Sequence, residues 1–436
     1  MSMPKPMSVP LPIPPEQSSL PLAPASEPVP EAVGADTDVP DLRLLTGPDA
    51  GDLLAAALEP SGRQLLSWRV ENVDHQPGDS CTAVYRVQVR GADGRTDEER
   101  IGARTGRLPH GATVLEDGAN RVAVWRFPYD PWLPALPSAC DPVALAGLLE
   151  DVGCGGGPVR YRVCAYRPGR RAVIEVTGSY GRLFIKVVRP SRVDALHQRH
   201  RLLTDAGVPA PASLGYTPDG LVVLQTLPGR TLREVLREGG GGGGGMGGGG
   251  GRVPSAQAVL GLLDRLPPEL ASGTPRPSWA AKAPHYAAVV GAALPQLAAQ
   301  ASELAEEVTA GVGSGPVVAV HGDLYESQLL VDGGRISGLL DVDTAGPGER
   351  VDDLGCLLGH LSVLAQIDLE RADAINRLGA GYLAAFAGVV DAAELRRRTA
   401  AVVLSLATGP HRVQEAGWQA ATRARLDLAT RWLHPG

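Results

Sequence analysis

The stretch VVAVHGDLYESQLLVDGGRISGLLDVD, residues 317–343, decides how this chain is read. VVAV is short, β-branched and apolar, the pattern of a buried strand. HGDLYES follows as a polar loop. QLLV and RISGLLD then read as two strands folded about an Asp332-Gly333-Gly334 turn. Gln328 opens the outgoing strand and Asp341 closes the returning one, so a hairpin brings both to the same end. Asp323 lies in the loop beside them. A loop aspartate next to an amide oxygen and a second aspartate is a set of hard oxygen donors, the kind Mg²⁺ takes alongside nucleotide phosphates. Asp323 is then left to orient a hydroxyl and accept its proton. The bland alternative is a polar turn capping a hairpin, with residues 341–343 holding a helix end.

His-x-Asp, an amide five positions after the Asp, and an Asp closing the next hairpin resemble the catalytic loop of protein kinases. The His-Gly-Asp form, with Asp-x-Asp at 341 and 343 and Gly-Pro-Gly…Asp-Leu up to Leu354, looks like the aminoglycoside phosphotransferases and the small-molecule kinases around them. The resemblance implies a bilobal α+β fold of the protein-kinase type, with a small β-rich lobe and a large helical lobe. It implies Asp323 as catalytic base, Asp341 as the main Mg²⁺ ligand, and Gln328 in place of the family's metal-binding Asn. Asp343 is implied to face a second metal or the substrate, and Asp353 to brace the loop. The donor is then ATP or GTP, and the acceptor a small-molecule hydroxyl on a sugar, an aminoglycoside or an amino alcohol.

Lysine gives an independent signal. Only Lys5, Lys186 and Lys282 occur in 436 residues, and Lys186 lies inside the apolar strand LFIKVV. An unpaired buried ammonium is costly, so Lys186 calls for an anionic partner. In a kinase-like small lobe that partner is the phosphate chain of the nucleotide; the alternative is an edge-strand lysine reaching solvent. The resemblance extends to LFIKVV, the helix ending AGVPAP, and LVVLQTLPGRTL, and implies adenine against the backbone at Gln225 and Leu227. Two departures stand out. The helix SRVDALHQRHRLLTDAG carries no Glu to pair with Lys186, Asp194 being placed to cap its start. Gln328 is also one methylene longer than Asn. Both keep open a catalytically weak or inactive pseudokinase that binds nucleotide or a partner. Asp343, Glu326 and Glu349 are candidates to hold a cationic acceptor. His197 and His200 read as surface residues.

Outward from this core, residues 1–40 contain 11 prolines and read as a disordered tail. Residues 41–150 read as an additional N-terminal α/β cap domain, with a helix near residues 49–58 and alternating strands. A faint internal echo runs through it: Gln76-Pro77-Gly78 precedes AVYRV as Arg167-Pro168-Gly169 precedes VIEV. A degenerate repeat of the small lobe and two ordinary hairpins fit this equally. Residues 151–238 read as the small lobe and hinge, the glycine run 239–251 as a flexible insert, and 252–436 as the helical lobe, with Leu354, Leu357, Leu358, Leu361 and Leu364 on one stripe. The net charge of −7 argues against nucleic-acid or anionic-membrane partners. Five scattered cysteines without metal or disulfide spacing suit reduced thiols in a cytoplasm.

Overall fold

A computed structural model describes residues 42–118, 120–238, 253–310 and 315–435. The proline-rich tail and the glycine run lie outside the described residues.

The first globular unit is α1 (Leu42–Thr46) and α2 (Ala50–Leu58) on one face of an antiparallel sheet of order β1-β2-β3-β5-β4. Its strands are β1 (Gln64–Gln76), β2 (Ser80–Arg90), β3 (Thr96–Arg104), β4 (Thr113–Asp117) and β5 (Asn120–Arg126). On β2 the residues Cys81, Ala83, Tyr85, Val87 and Val89 alternate inward at the two-residue period of a strand and meet Leu45, Leu54 and Leu58 of the helices. Tyr85 is buried there and donates its hydroxyl to the Leu45 carbonyl at 2.7 Å.

The second unit repeats this plan. Two helices, α3 (Leu136–Ala139) and α4 (Pro142–Asp151), precede a sheet of order β6-β7-β8-β10-β9. The strands are β6 (Arg160–Arg167), β7 (Arg171–Gly178), β8 (Gly181–Val188), β9 (Ser213–Thr217) and β10 (Leu221–Gln225). Both units therefore order their strands first, second, third, fifth, fourth. The Gln76 and Arg167 turns of the echo both join a first strand to a second. They differ between the third and fourth strands, where only the second unit has a helix, α5 (Pro190–Asp205). The sequence reading assigned residues 136–150 to the first domain. Instead Leu136, Leu145 and Leu149 pack under Ile174, Ile185 and Val187 of the second sheet, because the two helices need that apolar face to bury their own.

β8 divides by parity. Leu183, Ile185 and Val187 face α3 and α4, whereas Phe184 and Val188 face α5 with Val193 and Leu196. Lys186, in register with Val222 of β10, shares the second parity. Asp194 does not cap α5: Arg189 occupies the cap position, and Asp194 accepts from the Tyr216 hydroxyl at 3.1 Å. His200 also departs from its surface reading. It is buried, its Nδ1 within 2.7 Å of the Pro211 carbonyl oxygen.

The remainder is helical: α6 (Leu232–Glu238), α7 (Ala256–Leu263), α8 (Ala283–Ala293), α9 (Ala298–Thr309), α10 (Arg350–Ile367), α11 (Ala372–Phe386), α12 (Ala392–Ala407), α13 (Gly409–Arg412) and α14 (Trp418–Leu433). β11 (Arg230–Thr231) precedes α6, and β12 (Val317–Val320), β13 (Leu329–Asp332), β14 (Arg335–Leu339) and β15 (Gly346–Glu349) lie between α9 and α10. β12 pairs with β15, and β11-β13-β14 form a small sheet. The leucine stripe of α10 packs into the main core beside Leu324, Leu329 and Leu339, which fixes the loop between β12 and β13 against that helix. Among the described residues no helix is long and apolar enough to cross a membrane.

Candidate active site

The loop after β12 is held from below. Asp353, in the first turn of α10, accepts from the backbone N–H of His321 and of Gly322, both at 2.7 Å and one to each carboxylate oxygen. Burial pushes its carboxyl up, against the His321 charge and these two amides. Gly322 has φ +79°, and a Cβ there would come within 2.8 Å of the Thr344 carbonyl oxygen, so only glycine fits. The buried His321 ring places Nε2 2.9 Å from the Leu340 carbonyl oxygen, tying the loop to the end of the hairpin. Leu340 in turn donates its N–H to the Gln328 carbonyl at 2.8 Å. That bond closes the hairpin base one residue before Asp341. Asp341 itself has φ +54°, an uncommon left-handed conformation for an aspartate.

Lys186 is 5% exposed and donates to Asp341 Oδ1 at 2.7 Å and also to Asp343. Strand parity and the turn after β14 thus bring together residues 155 positions apart. These two aspartates are the anionic partners that the helix α5 lacks. A second cation meets the same pair. Arg171, the first residue of β7, grips Asp341 with both terminal nitrogens at 2.9 and 2.8 Å and reaches Asp343 at 3.2 Å. Burial pushes the Asp341 carboxyl up, but Lys186 and Arg171 outweigh it and hold Asp341 far below the usual carboxylate range. The Asp343 carbonyl oxygen accepts from Arg199 at 3.0 Å and Arg276 at 3.2 Å. Arg171, Arg199 and Arg276 were not among the sequence candidates. Arg171 ends the turn RPGRR, residues 167–171.

Asp323 lies behind this cluster. Its carboxyl is pushed up to about 6, chiefly by burial and further by Asp341, with His321, Arg171 and Arg167 opposing. Cys356 of α10 approaches it at 3.9 Å, and Tyr325 of the same loop stacks on His360 with ring centres 4.2 Å apart. Tyr286 and Lys282 of the α8 region lie close enough to Asp323 for the charges to interact. Gln328 is buried, and its side-chain amide makes no hydrogen bond among the described residues.

At the hinge, the Gln225 N–H is committed to the Ala212 carbonyl at 2.9 Å, so of the two hinge candidates it is Leu227 whose N–H has no partner among the described residues. None of the three acids expected to hold a cationic acceptor is free to do so. Asp343 is bound by Lys186 and Arg171. Glu326 is buried with Arg233 at 3.7 Å. Glu349 is bound by Arg398 at 3.1 Å.

The first unit reaches this region through the tip of its β1–β2 hairpin. Asp74 pairs with Arg170 of the β6–β7 turn at 2.8 Å. Asp130 of the connecting segment accepts from the Gly169 N–H at 2.7 Å and the Tyr166 hydroxyl at 2.9 Å.

A family model described as the phosphotransferase enzyme family (APH) matches residues 167–399, more than half of the chain. No curated protein matches it. Among solved structures the chain is similar to an ethanolamine kinase of Plasmodium vivax, at 13% identity and TM-score 0.42, covering 62% of this chain and 82% of that one. It is similar to aminoglycoside phosphotransferase APH(3'')-Id of Streptomyces rimosus, at 18% identity and TM-score 0.39, covering 60% and 97%. It is also similar to macrolide 2'-phosphotransferase MphH of Brachybacterium faecium, at 20% identity and TM-score 0.37, covering 65% and 98%. The family match spans the β6–β7 turn, Lys186, the His321 loop and both aspartates of the hairpin base, and on that match the chain belongs to the phosphotransferase enzyme family, as a kinase acting on small-molecule hydroxyls.

Proposed function

We propose that the chain transfers the γ-phosphoryl of ATP or GTP to a hydroxyl of an uncharged or anionic small molecule, with Asp323 as base. The observation that carries this reading is the convergence of Lys186, Asp341 and Asp343 near a half-buried Asp323 whose carboxyl is raised toward neutrality. A base works best with a pKa near the working pH, and burial supplies that shift here.

Asp341, Asp343 and the amide oxygen of Gln328 suit Mg²⁺ in donor chemistry. Two cationic side chains, Lys186 and Arg171, now meet the charge of the two aspartates, the balance that one dication restores when those side chains turn to the phosphates. Bound there, Mg²⁺ neutralises charge on the phosphate oxygens. Lys186 orients the phosphate chain from β8, and Arg171 approaches it from the β6–β7 turn. Asp323 aligns the acceptor hydroxyl and takes its proton as the bond to phosphorus forms. Asp353 keeps the loop in place throughout, through the two amides it holds.

The acceptor faces Asp323 from the side of Tyr286 and Lys282. Arg167 and Arg170 lie within charge range of this region, with Asp74 as the counter-charge on Arg170. A polycation meets repulsion there, and Glu326 and Glu349, which could have received it, are paired with arginines. A hydroxylated sugar or polyol, neutral or acidic, fits better than an aminoglycoside.

The test has two parts. Thermal unfolding with Mg²⁺–ATP and Mg²⁺–GTP at a hundred times Kd should show stabilisation of about 2.7 kcal/mol that disappears in Asp341→Ala. Nucleotide turnover is then screened with neutral, acidic and polycationic hydroxyl compounds. Turnover confined to the polycations would overturn the acceptor reading. Stabilisation that survives without Mg²⁺ or in Asp341→Ala would overturn the site.

A further inference from the structure

Behind the expected base, α10 carries Cys356 and His360 four residues apart, hence on one face of the helix. Cys356 Sγ lies 3.9 Å from Asp323 Oδ1, and the ligand atoms of Cys356, His360 and Asp323 all fall within 4.8 Å of one another. A tetrahedral zinc ion with bonds of about 2.0–2.3 Å sets its ligands roughly 3.3–3.6 Å apart, so the three groups need to close by only a fraction of an ångström to about one. Cys356 is fully buried, whereas Asp323 and His360 are half-buried, so the group is not sealed from solvent. The Tyr325 ring stacked on His360 fixes the imidazole plane. Burial pushes His360 down to about 3, so the ring is neutral with a lone pair to give.

We propose that Cys356, His360 and Asp323 form a binding site for a thiophilic divalent cation such as Zn²⁺, and that an ion bound there withdraws Asp323 from acceptor chemistry. One thiolate, one carboxylate and one imidazole balance the charge of a dication and leave a fourth position for water. The thiol proton passes to solvent on ligation. Mg²⁺ prefers oxygen donors and is left to Asp341 and Asp343, so sulfur separates the two metals.

CoCl₂ titrated into the full-length protein is the first probe. The expected result is one equivalent bound, with a near-ultraviolet thiolate charge-transfer band and the visible bands of tetrahedral cobalt, both displaced by ZnCl₂. In Cys356→Ala both signals should vanish while Mg²⁺–nucleotide stabilisation persists. Should that variant fail to fold, Cys356→Ser keeps the volume and should lose the charge-transfer band alone. Signals unchanged in either folded variant, or no stoichiometric cobalt spectrum in the wild type, overturn the site. The inhibition arm rests on Asp323 being the base, and the cobalt arm does not. Under saturating Mg²⁺ and nucleotide, Cys356→Ala should need at least about tenfold more Zn²⁺ than wild type for half-inhibition, the scale of a lost metal contact. Equal inhibition of the two proteins overturns the blocking role.

Discussion

Asp353→Asn tests how the catalytic loop is held. The wild-type carboxylate is fully buried and receives the His321 and Gly322 N–H groups, one on each oxygen, at 2.7 Å. The two amide bonds favour the charged form and offset part of the burial that pushes the carboxyl up. Asparagine offers one oxygen and one NH₂. One backbone amide keeps an acceptor, now neutral, and the other faces a donor. A buried N–H left without a partner costs about 1–3 kcal/mol, and converting the remaining charge-assisted bond to a neutral one loses about 1 kcal/mol more. The sum is about 2–4 kcal/mol. For a lobe of roughly 200 residues this lowers Tm by roughly 5–12 °C. The substitution touches neither the acceptor nor the nucleotide, yet it frees the loop that carries Asp323, so turnover should fall with it. The assay is thermal unfolding followed by circular dichroism, paired with nucleotide turnover at a temperature where the variant is folded. A Tm within about 1 °C of wild type, together with unchanged turnover, would refute the reasoning, since both amides would then be satisfied without the carboxylate.

Turnover should rise with pH through about 6 and level off above it, because Asp323 accepts a proton only when ionised; a limb near 4 would contradict the burial of that group. The sign for stability is opposite. The folded protein binds this proton more tightly than the unfolded chain, so the Asp323 contribution favours folding at low pH and is lost as pH rises through about 6. Arg398 is buried and pairs with Glu349, Asp352 and Glu394 at 3.1, 2.9 and 2.6 Å. Arg398→Met leaves Glu349 and Asp352 without their cation, Glu394 keeping Arg397, and should cost about 3–5 kcal/mol in urea unfolding; a loss under about 1 kcal/mol would show that water replaces the arginine. Gly322→Ala should cost about 1–3 kcal/mol, from its left-handed φ and the close Thr344 carbonyl, and an unchanged Tm would mean that the loop relaxes freely.

The hairpin base was legible because strand periodicity and a Gly-Gly turn are local. Once QLLV and RISGLL pair, the two ends of the hairpin must meet, and the Leu340–Gln328 bond is where they do. Lys186 was legible for a different reason: an ammonium in an apolar strand needs an anion, whichever residue supplies it. Which anion supplies it was not legible, because Asp341 and Asp343 reach Lys186 only after two lobes have packed. The same holds for Arg171, whose side chain crosses from the β6–β7 turn to the hairpin of the other lobe, and for His200, buried by contacts outside its own helix. The helices at 136–151 show the limit most plainly. Their apolar faces announce that they must be covered, and their sequence says nothing of which of two similar sheets does so. Residue type and spacing along the chain determined the chemistry this protein can hold; the pairing of charges was decided by tertiary packing, because Coulomb and hydrogen-bond energies depend on distances that sequence separation does not encode.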